Sequence, residues 1–174
     1  MKLTNRDIKI IQFLEENKGA TIQQIQELFF PSYNMAAQRL KILSDNKFIK
    51  VNIHPILSKK VYYMQKIPSY HSLIITTFMI KLRDNIKFME REYKIKNNIV
   101  DCIFILKTGQ IIILEVDIYN RTNEAKINSI MQILKSQKLQ YEFVVIEKMV
   151  GRKRVLGLRY GKVEEIDGII KSLI

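Results

Sequence analysis

The stretch IVDCIFILKTGQIIILEVD, residues 99–117, decides the fold of the larger part of the chain. It contains two runs rich in β-branched residues, 99–106 and 110–117, which are apolar on both faces and are joined by residues 107–109. Strands of this kind lie inside a sheet that is covered on both sides. The stretch therefore predicts a buried antiparallel hairpin.

The length of the connecting turn decides which side chains of the hairpin meet. A two-residue turn places Asp101 opposite Val116 and separates it from both later carboxylates. A three-residue loop with Gly109 in the left-handed conformation places Asp101 opposite Glu115 and sets Asp117 on the same face. Glycine at the third loop position favours this second register.

In the second register three carboxylates gather at one end of the hairpin. Buried carboxylates repel one another, so they need protonation, a cation or solvent. A Mg²⁺ bound by Asp101, Glu115 and Asp117 would remove this repulsion and would polarise a phosphodiester and activate water. The alternative is that the carboxylates lie at exposed strand ends or accept hydrogen bonds from residues that follow. The candidate donors are Arg121, Thr122 and Lys126.

The residues around the hairpin predict an α/β domain over residues 69–174. A helix follows the hairpin, and a strand over 141–146 follows the helix. Strand, helix and strand in this order form a right-handed crossover, which places 141–146 parallel to 110–117. The predicted sheet is therefore mixed. Further elements are predicted as a helix over 71–85, a strand over 92–95, an edge strand over 155–160 and a closing helix over 163–174.

A compact basic cluster lies late in the chain, at Arg152, Lys153 and Arg154. Three adjacent cations suit contact with the phosphates of DNA, so the cluster is a candidate for a second DNA contact. The alternative is a basic hairpin tip that protects an exposed sheet edge from pairing with another chain. Both interpretations stay open from the sequence.

Helical periodicity and capping residues predict three helices near the amino end. Two capping boxes, Thr4 with Asp7 and Thr21 with Gln24, start the first two helices. Ser32 follows a proline and caps the third helix. A hairpin with strands over 48–51 and 61–64 comes next.

The order of three helices and a hairpin over residues 3–64 resembles the winged helix-turn-helix family. In that family a helix with short polar side chains opposite its buried stripe enters the major groove of DNA. The resemblance implies a domain over residues 1–66 that binds double-stranded DNA, and an ordinary solvated helix face is the alternative. The candidate DNA contacts are Ser32, Tyr33, Asn34, Gln38, Arg39 and Lys41 on the third helix, with Lys59 and Lys60 in the wing.

The charge of the chain also points to a polyanion. Lys and Arg number 29 against 17 Asp and Glu, which gives a formal net charge of +12. Such an excess attracts nucleic acid or an anionic surface. Apolar runs such as residues 111–114 are far shorter than the roughly 20 residues of a membrane span. With a single cysteine and no secretion signal at the amino end, we expect a cytoplasmic protein without a membrane partner.

Asp101 before an apolar strand, Glu115 and Asp117 at the end of the next strand, and Lys126 on the following helix resemble the PD-(D/E)xK nuclease core. Together with His71, these motifs are similar to the replication-relaxation family, whose members join a winged helix to such a core. The resemblance spans nearly the whole chain. It implies an α+β protein with a restriction-endonuclease-like second domain, which acts on DNA in the replication, transfer or transcriptional control of a plasmid, phage or conjugative element.

One departure from the nuclease pattern concerns the lysine. The consensus has a lysine two residues after the acid, where this chain has Asp117, and Lys126 stands about one helical turn into the next helix. The primary expectation is therefore a protein that binds double-stranded DNA, as a homodimer or with other replication or transfer proteins, and needs no cofactor to bind. The first alternative is a Mg²⁺-dependent endonuclease or nickase with Asp101, Glu115 and Lys126 as catalytic residues. The second alternative is a non-enzymatic dimerisation or assembly protein.

Overall fold

The computed structural model describes residues 1–148 and 155–174, which form two compact units, Met1–Ile80 and Lys81–Ile174. The elements in chain order are α1 (Asn5–Glu16), β1 (Ala20–Thr21), α2 (Ile22–Phe29), α3 (Tyr33–Asp45), β2 (Lys50–Ile53), β3 (Lys60–Tyr63), α4 (Tyr70–Leu82), β4 (Ile86–Ile95), β5 (Asn98–Leu106), β6 (Ile111–Asp117), α5 (Glu124–Ser136), β7 (Tyr141–Glu147), β8 (Arg159–Gly161) and α6 (Ile166–Lys171). A 3-10 turn, Val163–Glu165, precedes α6.

The first unit contains the predicted helices in the predicted order. Both capping boxes are present, and the Ser32 hydroxyl accepts a hydrogen bond from the backbone N–H of Met35, so the three helix starts are confirmed. The short strand β1 was not predicted; it pairs with β3, which also pairs with β2, and a three-stranded antiparallel sheet results. The core of the unit includes Ile10, Leu14, Ile25, Ala36, Leu40 and Leu43.

Most of helix α4, up to Ile80, belongs to the first unit. The Gln24 side chain donates hydrogen bonds to the Leu73 carbonyl at 2.8 Å and to the Thr77 hydroxyl at 2.9 Å, which joins α4 to α2. Residues 70–80 therefore lie with the amino-terminal helices. The domain limits of 1–66 and 69–174 stay a prediction.

The second unit contains a mixed sheet with the strand order β4-β5-β6-β7-β8. The β6 and β7 strands are parallel, as the crossover rule predicts, and β8 pairs parallel to β7 at the edge. Helix α5 covers one face, where Ile127, Ile130 and Leu134 pack with Ile113 and Phe143. The strand β4 has ten residues and is much longer than the strand predicted over 92–95.

The hairpin of β5 and β6 has the predicted three-residue loop. Cys102 lies opposite Leu114 and Ile105 opposite Ile111, and the Leu106 N–H donates to the Gln110 carbonyl at 2.9 Å. Gly109 has a φ of 89°, which is the left-handed conformation that glycine adopts without strain. The second register is confirmed.

None of the helices in the described ranges combines the length and the apolar character that a membrane crossing needs.

Candidate functional site

Glu115 is the most deeply buried acid at the end of the hairpin, with 2% of its surface exposed. Helix α5 brings Lys126 to it, and the Lys126 Nζ lies 2.7 Å from Glu115 Oε1. Burial raises the pKa of the Glu115 carboxyl, and the nearby charge of Asp101 acts in the same direction, whereas Lys126 and Thr122 oppose the rise. Lys126 therefore compensates a carboxylate that would otherwise be costly to bury.

Asp117 is held by the residues that connect β6 to α5. The Thr122 N–H lies 3.1 Å from Oδ1 and 3.0 Å from Oδ2 of Asp117. The Thr122 hydroxyl lies 2.6 Å from Asp117 Oδ1 and 2.9 Å from Glu115 Oε2. Thr122 therefore joins the two carboxylates, which confirms that Glu115 and Asp117 lie on the same side of the sheet.

Asp101 lies near Glu115 but has a backbone partner. Cys102 of β5 pairs with Leu114 of β6, and extending this register by one residue places Asp101 opposite Glu115. The Val116 N–H donates to Asp101 Oδ2 at 2.7 Å. The structure thus places Asp101 and Lys126 near Glu115, and Thr122 joins Glu115 to Asp117.

The predicted magnesium site with three carboxylate ligands is not formed. In the part of the chain that the structure describes, no three Asp, Glu, His or Cys side chains are grouped so that they could hold a metal ion. The physical reason is that protein donors already occupy the acids: Asp117 accepts from Thr122, and Glu115 pairs with Lys126. A carboxylate has about four acceptor sites, so Asp101 and Glu115 could each still offer an oxygen to Mg²⁺ together with substrate phosphates.

Helix α3 turns a polar face to solvent. Its buried stripe is Ala36, Leu40 and Leu43, whereas Asn34 and Gln38 are exposed and 52% of Tyr33 is exposed. Ser32 caps the helix, and exposed Lys41 pairs with Asp45 one turn later. The candidate contacts of α3, with the exception of Arg39, lie on a surface that a duplex can reach.

Arg39, one of the predicted DNA contacts, has an acidic partner within the first unit. Its Nε donates to Asp7 Oδ1 at 2.7 Å, and its Nη2 contacts Asp7 Oδ2. Asp7 is fully buried, and this guanidinium holds the pKa of its carboxyl well below the usual range. The ion pair of Arg39 with Asp7 therefore links α3 to the start of α1, and it neutralises the Arg39 charge within the first unit.

Where the chain enters β3, Lys59 and Lys60 are exposed, as a phosphate contact requires. His54 is buried, and its Nδ1 accepts hydrogen bonds from the Ile56 and Leu57 N–H groups, each at 3.2 Å. The imidazole therefore shapes the loop between β2 and β3. Arg152, Lys153 and Arg154, the candidate second DNA contact, lie outside the described residues.

One residue of the acidic site was not identified from the sequence, and the role of another was predicted only in part. Glu147 ends β7 directly beside Asp117 in the parallel register, and it is buried. A signal exists in the sequence, since Glu147 follows an apolar run whose parallel partner also ends in an acid. Thr122 was predicted as one donor among three, and nothing in the sequence shows that its hydroxyl bridges two acids.

No family model matches the sequence, and no curated protein matches it. Among solved structures, a repair endonuclease from Pyrococcus abyssi is similar, with 18% identity, a TM-score of 0.38, and coverage of 60% of this chain and 52% of that chain. An EndoMS complex with double-stranded DNA has 18% identity, a TM-score of 0.36, and coverage of 59% and 50%. Protein VC1899 from Vibrio cholerae has 13% identity, a TM-score of 0.46, and coverage of 79% and 41%. The chain thus spans about half the length of the first two structures.

Proposed function

We propose that this protein binds double-stranded DNA through helix α3. The observation that supports this function best is the exposed polar face of α3, where Asn34 and Gln38 stand opposite the buried stripe. Asparagine and glutamine each form paired hydrogen bonds with adenine in the major groove. Lys41, Lys59 and Lys60 would contact phosphates, and the net charge of +12 favours the association.

The finer parts of the proposal follow the family resemblance. The amino-terminal helices and hairpin would act as a winged helix-turn-helix domain, and two copies of the chain would read two half-sites. The protein would serve the replication, transfer or transcriptional control of a mobile element, as the replication-relaxation resemblance implies.

Gln38→Ala is expected to weaken binding to a selected DNA site by about 1–3 kcal/mol, or roughly 5- to 150-fold, because one base contact is lost. A site is first selected from a pool of random duplexes, and affinity is then measured by fluorescence anisotropy. Gln12→Ala, a matched change at an exposed position of α1, is the control and should bind as the unaltered protein does. Equal affinities of the two variants would show that α3 does not read bases. Arg39 is left unchanged because its removal would uncover the buried Asp7.

A second candidate function is cleavage of a phosphodiester bond, which the contact between Lys126 and Glu115 favours. Mg²⁺ held by Asp101, Glu115 and the substrate phosphate would polarise the phosphodiester and activate water. Lys126 would stabilise the negative charge that develops on the phosphate, because its ammonium lies 2.7 Å from Glu115 and is partly exposed. Thr122 would hold the Glu115 carboxylate in position through its hydroxyl.

Nicking of supercoiled plasmid DNA in the presence of Mg²⁺ tests this candidate. We expect nicking by the unaltered protein and none by Asp101→Asn, because the amide cannot supply an anionic ligand. Asp84→Asn, at an exposed position before β4, should nick normally. If the unaltered protein leaves the plasmid intact with Mg²⁺ and with Mn²⁺, the cleavage candidate is wrong and DNA binding through α3 is unaffected.

A further inference from the structure

The connection between β6 and α5, residues 118–121, is a short loop that is closed at its base; we name it the 118–121 loop. Thr122 binds Asp117 through its N–H and its hydroxyl, so the residues on either side of the loop are tied together. The Ile118 N–H donates to the Val116 carbonyl at 3.1 Å, which turns the chain immediately after β6. The loop therefore leaves the sheet from a fixed base.

Three of the four side chains of this loop face solvent. Tyr119 has 60% of its surface exposed and is the most exposed aromatic residue in the described part of the chain. Asn120 and Arg121 are exposed beside it. An aromatic ring held in water offers a flat face on which a base can stack, and a guanidinium contacts phosphate with two parallel hydrogen bonds.

The position of the loop also suits a ligand. It begins at the carboxyl end of β6, next to the parallel strand β7, and ligands of α/β sheets bind outside the carboxyl ends of parallel strands. Tyr119 is two residues from Asp117 and four from Glu115. A nucleotide stacked on Tyr119 would thus lie close to the acidic site.

We propose that the 118–121 loop binds an unpaired nucleotide, with Tyr119 stacked on the base and Arg121 in contact with a phosphate. The inference rests on the proposed function only in taking DNA as the ligand. Bases inside a duplex are stacked on one another and cannot offer a face to Tyr119, so the substrate class is DNA with single-stranded or unpaired positions. Duplex binding through α3 and base stacking on the loop would be separate activities.

The test compares two fluorescein-labelled probes, a 20-nucleotide oligothymidine strand and a 20-base-pair duplex that contains the selected site, by anisotropy with the full chain. Tyr119→Ala is expected to weaken binding of the single strand by roughly 5- to 150-fold, as measured for the loss of base stacking in other proteins. Tyr119→Phe keeps the ring and should retain affinity. Arg121→Gln should reduce the slope of log affinity against log salt by about 0.7, the value for one phosphate contact on a single strand.

Gln38→Ala separates this inference from the proposed function, because it should weaken duplex binding and leave single-strand binding unchanged. If the unaltered protein does not bind the single strand, or if Tyr119→Ala binds it with full affinity, the loop inference is wrong. If Gln38→Ala binds the duplex with full affinity while Tyr119→Ala still weakens single-strand binding, the α3 proposal alone is wrong. Circular dichroism of Tyr119→Ala checks the fold, which should be unchanged because the ring lies mainly in solvent.

Discussion

Asp7→Asn is expected to lower the free energy of unfolding by about 1.5–3 kcal/mol, because it removes the charged acceptor of the hydrogen bonds from Arg39, whose side chain is partly exposed. Asp7 also accepts hydrogen bonds from the Thr4 backbone and hydroxyl, each at 2.7 Å, so the same change weakens the start of α1. Urea titration followed by circular dichroism measures the loss. Asp45→Asn, which breaks the exposed pair with Lys41, is the matched control and should cost less than about 0.5 kcal/mol.

The contribution of Asp7 to the free energy of unfolding should decrease as the pH falls. Its pKa in the folded protein lies well below the ordinary value of 3.8, mainly because of the hydrogen bonds from Arg39. The stabilisation is therefore complete above pH 4 or so and is lost progressively as the pH falls below that value. Asp7→Asn should remove this acid-dependent part of the stability curve. A variant whose stability falls in acid as steeply as that of the unaltered protein would contradict the assignment.

Lys126→Met is expected to destabilise the second unit by about 3–5 kcal/mol at neutral pH, because Glu115 would be left as a buried carboxylate without its ion pair. The Thr122 hydroxyl, which Asp117 shares, does not compensate a full charge. Denaturant titration of the full chain measures the change. Lys135→Met, at an exposed position of the same helix, should change stability by less than about 1 kcal/mol, since only the interaction with the helix end is lost.

A double variant distinguishes the ion pair from lost packing of the lysine chain. Glu115→Gln with Lys126→Met contains no uncompensated buried charge, so it should be more stable than Lys126→Met alone. If the double variant is less stable than the unaltered protein by the sum of the two single effects, the two side chains do not interact and the assigned pair is wrong.

Local rules predicted the parts of the fold that depend on a few neighbouring residues. The three helix starts depend on Thr4, Thr21 and Ser32, whose hydroxyls accept hydrogen bonds from N–H groups only three residues away. The hairpin register depends on the loop length and on Gly109. For these features the sequence contains both partners of the deciding interaction within a few positions, so inspection finds them.

The sequence did not predict interactions between residues that are far apart in the chain. Asp7 and Arg39 are 32 positions apart, and Arg39 was therefore assigned to DNA rather than to the interior. In the acidic site, the sequence predicted which carboxylates meet and named Thr122 and Lys126 among three possible donors. It did not show which of them would bind the acids, because that depends on how helix α5 packs on the sheet.

The length of the loop at residues 107–109 constrains the evolution of this protein. Gain or loss of a single codon there would slip the pairing of β5 and β6 by one place and send the acids of β6 to the opposite surface of the sheet. Asp101, Glu115, Asp117 and Lys126 could then all be retained in the sequence, although their side chains would no longer meet. Insertions and deletions at this corner should therefore be selected against as strongly as substitutions of Glu115.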